Sequence, residues 1–338
     1  MTKTKSSDEV EVLGEHEIIK LMRQHFEEMP DMAVPFGDDV SAVPMNASAG
    51  EVAVLKADML VGKTDIPCGM TLWQAARKAV VMNISDFAAK GVVPKAVLVS
   101  LGLPRGLKRA DLEAIAQGLN AGAREYGAYV VGGDTGEASD LVVSVQVFGT
   151  AKKSGLMLRS GVKVGDVVAV TGLFGKSAAG LHLMMEKCAV SDVVREVLVG
   201  AVLMPEARLR EGLALQRSDA VSGAIDSSDG LAWSLHELAA LSGVGFVLDV
   251  LPVAEEAKQF ADACGLDVLD LVLFGGEEYE LVVTVKPELW GAAKAAVAAV
   301  GGKLLAIGKA TLDKRVVLAV DGKERLVEAR GYEHFTGQ

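Results

Sequence analysis

Seven aspartates stand where chemistry could use them. Asp38 and Asp39 lie in Phe36-Gly37-Asp38-Asp39, and Asp58 follows the apolar run Val52–Leu55. Asp86 lies in Asn83-Ile84-Ser85-Asp86, Asp134 in Gly132-Gly133-Asp134-Thr135, and Asp226 and Asp229 in Asp226-Ser227-Ser228-Asp229-Gly230. Most have glycine or serine as neighbours, which lets backbone and phosphate approach closely. Magnesium takes hard oxygen ligands, commonly one or two carboxylates completed by water and substrate phosphates. Any one of these residues is also an ordinary turn or N-cap aspartate, since Asp favours both positions. Asp86 is the exception. It falls inside a strongly patterned helix, on the face shared with Asn83 and Lys90, where a carboxylate among apolar neighbours needs a partner.

Other chemistries are poorly represented. The five histidines, His16, His25, His182, His236 and His334, are scattered and form no HExxH; His182 and His236 fall in helical stretches and read as structural. Gly172-Leu173-Phe174-Gly175-Lys176-Ser177 looks like a phosphate-binding loop. That motif needs a glycine at position 170, where Val170 stands, so a strand–turn–helix connection is the simpler account. No GxGxxG follows a strand, which leaves a dinucleotide fold unsupported. Gly275-Gly276-Glu277-Glu278-Tyr279-Glu280 is an acidic turn before a strand. Because phosphate monoesters lose their second proton near pH ~6, a phosphate acceptor needs no protein base. A chain with many carboxylates and no base therefore suits phosphoryl transfer onto a phosphate, by positioning and metal screening.

The elements that must hold these residues alternate. Val52–Leu55 reads as a strand ending at Lys56-Ala57-Asp58. Thr71 and Gln74 have capping-box spacing, and Leu72, Ala76, Val80, Ile84 and Phe87 form one face of the helix they open, closed by Gly91. Ala96–Leu103 reads as a strand. A helix follows over about Ala110–Tyr126, with Leu112, Ile115, Leu119 and Ala123 on one face. Tyr129–Val131, running into the Gly-Gly-Asp-Thr turn, and Leu141–Phe148 are the next strands. Farther on come a strand Val167–Val170, helices through about Gln216, and strands Val221–Ile225, Phe246–Val250 and Leu281–Val285. A helix Leu289–Val300 and two more strands close the chain. Helices between strands imply α+β or α/β layers.

The composition bounds the rest. The chain has 338 residues, enough for two domains, and half of them are hydrophobic. The mean hydropathy is +0.32, yet no run of ~18 apolar residues occurs, so no membrane span is expected. The N-terminal MTKTKSSDEVEV lacks the apolar core of a secretion signal, and residues 1–12 are expected to be disordered. A net charge of −11, no basic run and 5% aromatic residues argue against nucleic acid. Cys68, Cys188 and Cys264 are far apart and form no CxxC, which fits a reducing cytoplasm and no zinc site.

Taken in order, the motifs carry a resemblance. They run Phe36-Gly37-Asp38-Asp39, Leu55-Lys56-Ala57-Asp58-Met59-Leu60, Asn83 to Gly91, Val131 to Thr135, Arg159-Ser160-Gly161 through Gly165-Asp166, Asp226 to Leu231, Gly275 to Leu281, and Gly331 to Phe335. This ordered set resembles the thiamine-monophosphate kinase family over about residues 14–335, and with it the wider aminoimidazole ribonucleotide synthetase-like superfamily. The resemblance implies a two-domain fold: an N-terminal domain, residues 13–153, with a mixed sheet that binds ATP and Mg2+ and dimerises, and a C-terminal α+β domain, residues 154–338. It implies magnesium ligands at Asp38, Asp58, Asp86, Asp134, Asp226 and Asp229, with Asp39 beside them. ATP contacts are implied at Gly133, Asp134, Arg159 and Ser228, and acceptor contacts at Glu277 and Tyr332.

The implied reaction transfers the γ-phosphate of ATP directly to thiamine monophosphate in a cytoplasmic homodimer, with several magnesium ions and no side chain as general base. Three positions depart from the family's pattern. Lys56-Ala57 replaces a Ser/Thr pair, Asp65 replaces a substrate-contacting histidine, and Glu278 replaces an aspartate. Asp65 is accordingly expected to face the vitamin end of the acceptor. The alternatives are an ATP-dependent ligase or cyclase of the aminoimidazole ribonucleotide synthetase type, and a nucleotide-binding maturation protein. A C-terminal cysteine, expected of the hydrogenase-maturation relative, and the N-terminal reactive cysteine of selenophosphate synthetases have no counterpart here.

Overall fold

The structure, a computed structural model, describes residues 21–30, 50–185, 188–320 and 322–333. The described residues fall into two compact units, divided at Ile84/Ser85, Val92/Val93 and Ala151/Lys152, so that Ser85–Val92 belongs with the second. Asp38, Asp39 and the N-terminal twelve residues lie outside the described residues, as does His334.

The first unit is built on a four-stranded sheet in the order β1-β4-β2-β3. Its strands are β1 (Glu51–Val61), β2 (Val93–Leu103), β3 (Tyr129–Glu137) and β4 (Val142–Lys152). β2 is antiparallel to β4 and parallel to β3, which makes the sheet mixed. Helix α1 (Leu72–Lys90) starts with the capping box its sequence announces: Gln74 N–H donates to Thr71 Oγ1 at 3.2 Å and Thr71 N–H to Gln74 Oε1 at 2.9 Å. Helix α2 (Arg109–Glu125) buries Leu112, Ile115, Leu119 and Ala123 completely, the face expected of it. At Gly118 a Cβ would overlap the Trp73 carbonyl oxygen, so the missing side chain is what lets α2 lie against α1.

Two strands run farther than their apolar signal. β1 continues through Lys56, Ala57 and Asp58 to Val61, so Asp58 is mid-strand rather than at a strand end. The alternation explains this: Lys56 and Asp58 share one face and pair at 3.1 Å, while Ala53, Leu55, Ala57 and Met59 occupy the other. β3 likewise continues through Gly132-Gly133-Asp134-Thr135, with Asp134 opposite Ser100 of β2. The register shifts at Val97/Leu98, and a Cβ on Gly133 would overlap the Val99 carbonyl oxygen. Glycine there serves a strand bulge and close pairing, not a turn.

The second unit holds a seven-stranded sheet in the order β11-β10-β7-β9-β5-β8-β6. The strands are β5 (Val167–Val170), β6 (Val221–Asp226), β7 (Gly245–Leu248), β8 (Leu281–Val285), β9 (Leu305–Thr311), β10 (Val316–Val320) and β11 (Lys323–Leu326). Three strands close the chain where two were expected. β11 is wholly exposed, so it carries no apolar signal. Helices α3 (Lys176–Met185), α4 (Asp192–Leu203), α5 (Leu209–Ser218), α6 (Leu231–Ser242), α7 (Glu255–Cys264), α8 (Val268–Phe274) and α9 (Trp290–Ala299) surround the sheet elements in sequence. α6 lies over one core of the unit with Leu231, Leu235 and Leu238 packed among Val168, Val170, Phe246 and Val282. A second cluster joins α3, α4 and α7 through Leu183, Leu198 and Phe260. The separation of the cysteines in sequence suits a reducing cytoplasm, but Cys188 and Cys264 form a disulfide beside that cluster, which counts against that setting. Cys68 is free and exposed. Among the described residues no helix is long and apolar enough to cross a membrane.

Candidate functional site

In the first unit the candidate residues lie on strands. Asp58 is on β1 and Asp134 on β3, the two edge strands, with β4 and β2 between them. Asp134 is exposed. Lys56, standing where a side-chain oxygen ligand was implied, instead brings its ammonium to Asp58. Asp65 ends a one-turn helix, Gly62–Asp65, and its Oδ2 accepts the Val61 N–H at 2.7 Å. Its carboxylate thus closes its own turn, and the buried Lys78 ammonium donates to its carbonyl at 3.4 Å.

The second unit gathers more. The Asp226–Gly230 turn leaves the end of β6 and opens α6. Asp226 is 5% exposed, and its Oδ2 accepts the hydroxyl of the fully buried Ser85 at 2.7 Å. Ser85 precedes Asp86 on the last turns of α1, so this bond ties the Asp86 segment to the Asp226 turn. Lys90, one helical turn beyond Asp86, donates to the Ala224 carbonyl at 2.7 Å. Burial pushes its ammonium down to about 8; nearby Arg159 pushes the same way, and Asp226 and Asp86 oppose them. Two carboxylates and two cations therefore share one neighbourhood. Arg159 also pairs with Glu237 of α6 at 3.4 Å.

The rest of the turn is clasped from both sides. Glu277 N–H donates to the Ser228 carbonyl at 2.7 Å and Tyr279 N–H to the Ser227 carbonyl at 3.0 Å. Tyr332 N–H donates to the Asp229 carbonyl at 2.9 Å. Ser228, Asp229, Glu277 and Tyr332, separated by up to about a hundred positions in sequence, are thus brought together through backbone bonds. Beneath them Glu280 forms a forked pair with Arg208, at 2.9 and 2.7 Å, and accepts the Thr171 hydroxyl at 2.7 Å. Burial works against the Arg208 guanidinium, but the Glu280 carboxylate outweighs it and raises its affinity for the proton.

The Gly172–Ser177 segment proves to be a strand–turn–helix connection. The first amides of α3, which a phosphate would use in a true phosphate loop, are taken by the Glu278 carboxyl: Gly175 N–H donates to Oε1 at 2.7 Å and Ser177 N–H at 3.0 Å. Burial pushes Glu278 up to about 7, despite these bonds and nearby Lys176.

The donor set suits magnesium. Asp86, Asp226 and Asp229 offer hard oxygens in the second unit. Among the described residues the buried side-chain oxygens without a hydrogen-bond partner are Ser227 Oγ, inside the same turn, and Asn83 Oδ1. A buried hydroxyl left without a partner calls for a water, an ion or a ligand atom to satisfy it. Among the described residues no three acidic, histidine or cysteine side chains form a metal-holding group by themselves. Magnesium does not need such a cage when phosphates and water supply the remaining oxygens. Ser85, Ser227, Lys90 and Glu278 were not singled out as site residues; the only sequence signal for the first three was their place inside the aspartate motifs.

A mixed four-stranded sheet in one unit, a seven-stranded sheet in the other, and an aspartate-serine turn opening a helix define a class, that of the AIR synthase related proteins. The family model for their N-terminal domain matches residues 37–151, and that for their C-terminal domain residues 163–321. The thiamine-monophosphate kinase of Pyrococcus horikoshii is 35% identical over 320 residues, spanning 94% of this chain and 96% of that one. The chain belongs to the thiamine-monophosphate kinase family. Among solved structures, the thiamine-monophosphate kinase of Stenotrophomonas maltophilia K279a aligns with a TM-score of 0.78 at 27% identity, covering 90% of this chain and 95% of that one. AaThiL complexed with AMPPCP and TMP aligns at 0.75 and 29% identity, covering 99% and 100%.

Proposed function

We propose that this chain transfers the γ-phosphate of ATP directly to thiamine monophosphate, giving thiamine diphosphate and ADP. The observation that carries the reading is the Asp226–Gly230 turn, held at once by Ser85, by the Glu277–Tyr279 backbone and by Tyr332. Family membership and the likeness to AaThiL complexed with AMPPCP and TMP support it. In this reading Gly133, Asp134, Arg159 and Ser228 contact ATP, and Asp65, Glu277 and Tyr332 contact the acceptor. Asp58, Asp86, Asp134, Asp226 and Asp229 hold magnesium, and Asp38 and Asp39 stay part of the proposed set.

Two anions must meet. At ~4 Å, two unit charges repel by about 4 kcal/mol at an effective dielectric near ~20. Bound magnesium supplies the screening charge. The chain's own residues orient the partners: Arg159 and Lys90 add positive charge beside the aspartates, and the fixed turn presents its serines. The acceptor phosphate is largely ionised at neutral pH, so no side chain must remove a proton. Direct transfer inverts a γ-phosphorus made chiral; retention would demand a phosphoenzyme. A homodimer through the first sheet and a cytoplasmic setting complete the proposal. The exposed apolar face of β1 supports the dimer, and the proposed use of ATP supports the setting, against which the Cys188–Cys264 disulfide counts.

The test is ADP formation, with and without magnesium, across a panel of phosphorylated and amide acceptors. ADP is expected with thiamine monophosphate and magnesium together. Release driven by an amide acceptor instead would replace the kinase reading with a ligase.

A further inference from the structure

The segment Gly275–Glu280 is anchored at two carboxyl groups. Glu280 is fixed by Arg208 and Thr171. Glu278 reaches the other way, and its Oε1 accepts the Gly175 and Ser177 amides at the start of α3. The backbone on either side of Glu278 is left-handed, with φ of 61° at Glu277 and 53° at Tyr279. Each such residue costs about 1 kcal/mol or more when it is not glycine. Two of them flanking one side chain persist only because the surroundings impose that path. What they achieve is visible in the hydrogen bonds. The Glu277 and Tyr279 amides turn toward the Ser228 and Ser227 carbonyls, one residue from the Asp229 carbonyl that holds Tyr332.

We infer that Glu278 is a positioning residue, whose carboxyl pins this strained loop to the N-terminus of α3 and so sets Glu277 beside Ser228 and Tyr332 to receive the thiamine end of the acceptor. The ligand named here rests on the proposed function; the pinning rests on the geometry alone. A mere helix cap would stabilise α3 and leave acceptor recognition untouched. A pin transmits its loss to the loop. Gln at this position keeps a carbonyl oxygen for both amides, Ala keeps nothing, and Ser keeps only a hydroxyl that stops short of both.

Hydrogen exchange and steady-state kinetics on the full chain separate these roles. In Glu278→Ala the amides of Glu277 and Tyr279 are expected to exchange roughly ten-fold faster. KM for thiamine monophosphate should rise roughly ten-fold while KM for ATP stays within about twofold. Glu278→Gln should keep the loop's protection. If Glu278→Ala does not fold, Glu278→Ser takes its place, with loop exchange faster than in Glu278→Gln. Unchanged loop exchange in the Ala or Ser variant, or both KM values rising in step with lost thermal stability, would overturn the inference. A wild-type chain that does not phosphorylate thiamine monophosphate sinks the functional reading alone, because the exchange comparison still decides what Glu278 holds.

Discussion

Asp226 shows how one residue can serve two demands. Its carboxylate accepts the Ser85 hydroxyl, a bond that an amide oxygen could also accept, while its charge has no such substitute. Asp226→Asn should therefore keep the fold and lose metal-assisted transfer. Turnover is expected to fall by at least about a hundred-fold with melting temperature little changed. Asp134→Asn should act the same way. Near-normal kcat at saturating magnesium in either variant removes that residue from the metal set. Glu278 gives a second test at this scale, through stability. Its carboxyl is raised from the ordinary 4.5 to about 7, chiefly by burial, with Glu280 adding to the rise and Lys176 opposing it. A raised acid binds its proton more tightly in the fold than in the unfolded chain. Its contribution to stability is thus complete below the unfolded value and is lost as pH rises through about 7. Glu278→Gln carries no such dependence. Denaturant melts should find it more stable than wild type by ~1–3 kcal/mol at pH ~8, with the gap closing toward pH ~4.5. A constant gap across that window would mean that the surroundings of Glu278 do not raise its carboxyl.

Elements were legible where their apolar pattern was unbroken. β5 and β8 are continuous valine-rich runs buried on both faces, and both were read with their observed limits. The face of α2 and the cap of α1 were also legible, because periodicity and capping are local. The extensions of β1 and β3 were not, since Lys56, Asp58 and the Gly132–Gly133 pair carry turn chemistry that sheet pairing overrides. α7 went unread although it is strongly amphipathic, with Ala257, Phe260 and Ala261 on its buried face. The aspartate motifs stood out by composition, but Glu278's reach to Gly175, 103 residues away, is a tertiary fact with no sequence period. The close approach of α2 to α1 supplies the prediction here. Gly118→Ala places a methyl against the Trp73 carbonyl oxygen and must push the helices apart. Destabilisation of ~1–3 kcal/mol is expected in a urea melt. Gly106→Ala, where a Cβ meets nothing within 4 Å, is the control and should be near neutral. Equal stabilities for the two variants would mean that Gly118 does not set the helix spacing.

At the scale of the whole molecule the open question is what covers β1. This eleven-residue strand is an edge of the first sheet and has no strand beyond it among the described residues. One of its faces presents Ala53, Leu55, Ala57 and Met59, with Leu55 75% and Met59 56% exposed. A long edge strand with an apolar face is an aggregation hazard unless charge, a bulge or a partner blunts it. Lys56 lies on the opposite face, paired to Asp58, and does not blunt this one. The net charge of −11 makes copies of the chain repel one another but cannot cover a local patch. A second copy can, and two-fold symmetry would bring the same apolar face from each chain together. The expected solution species is therefore twice the 35.3 kDa chain, measured by light scattering on a sizing column. Leu55→Lys combined with Met59→Lys alters exposed positions only, so circular dichroism should stay native while the mass halves. A wild-type chain that runs as a monomer at micromolar concentration would sink the dimer, and a charged double variant that remains a dimer would place the partner surface elsewhere than β1.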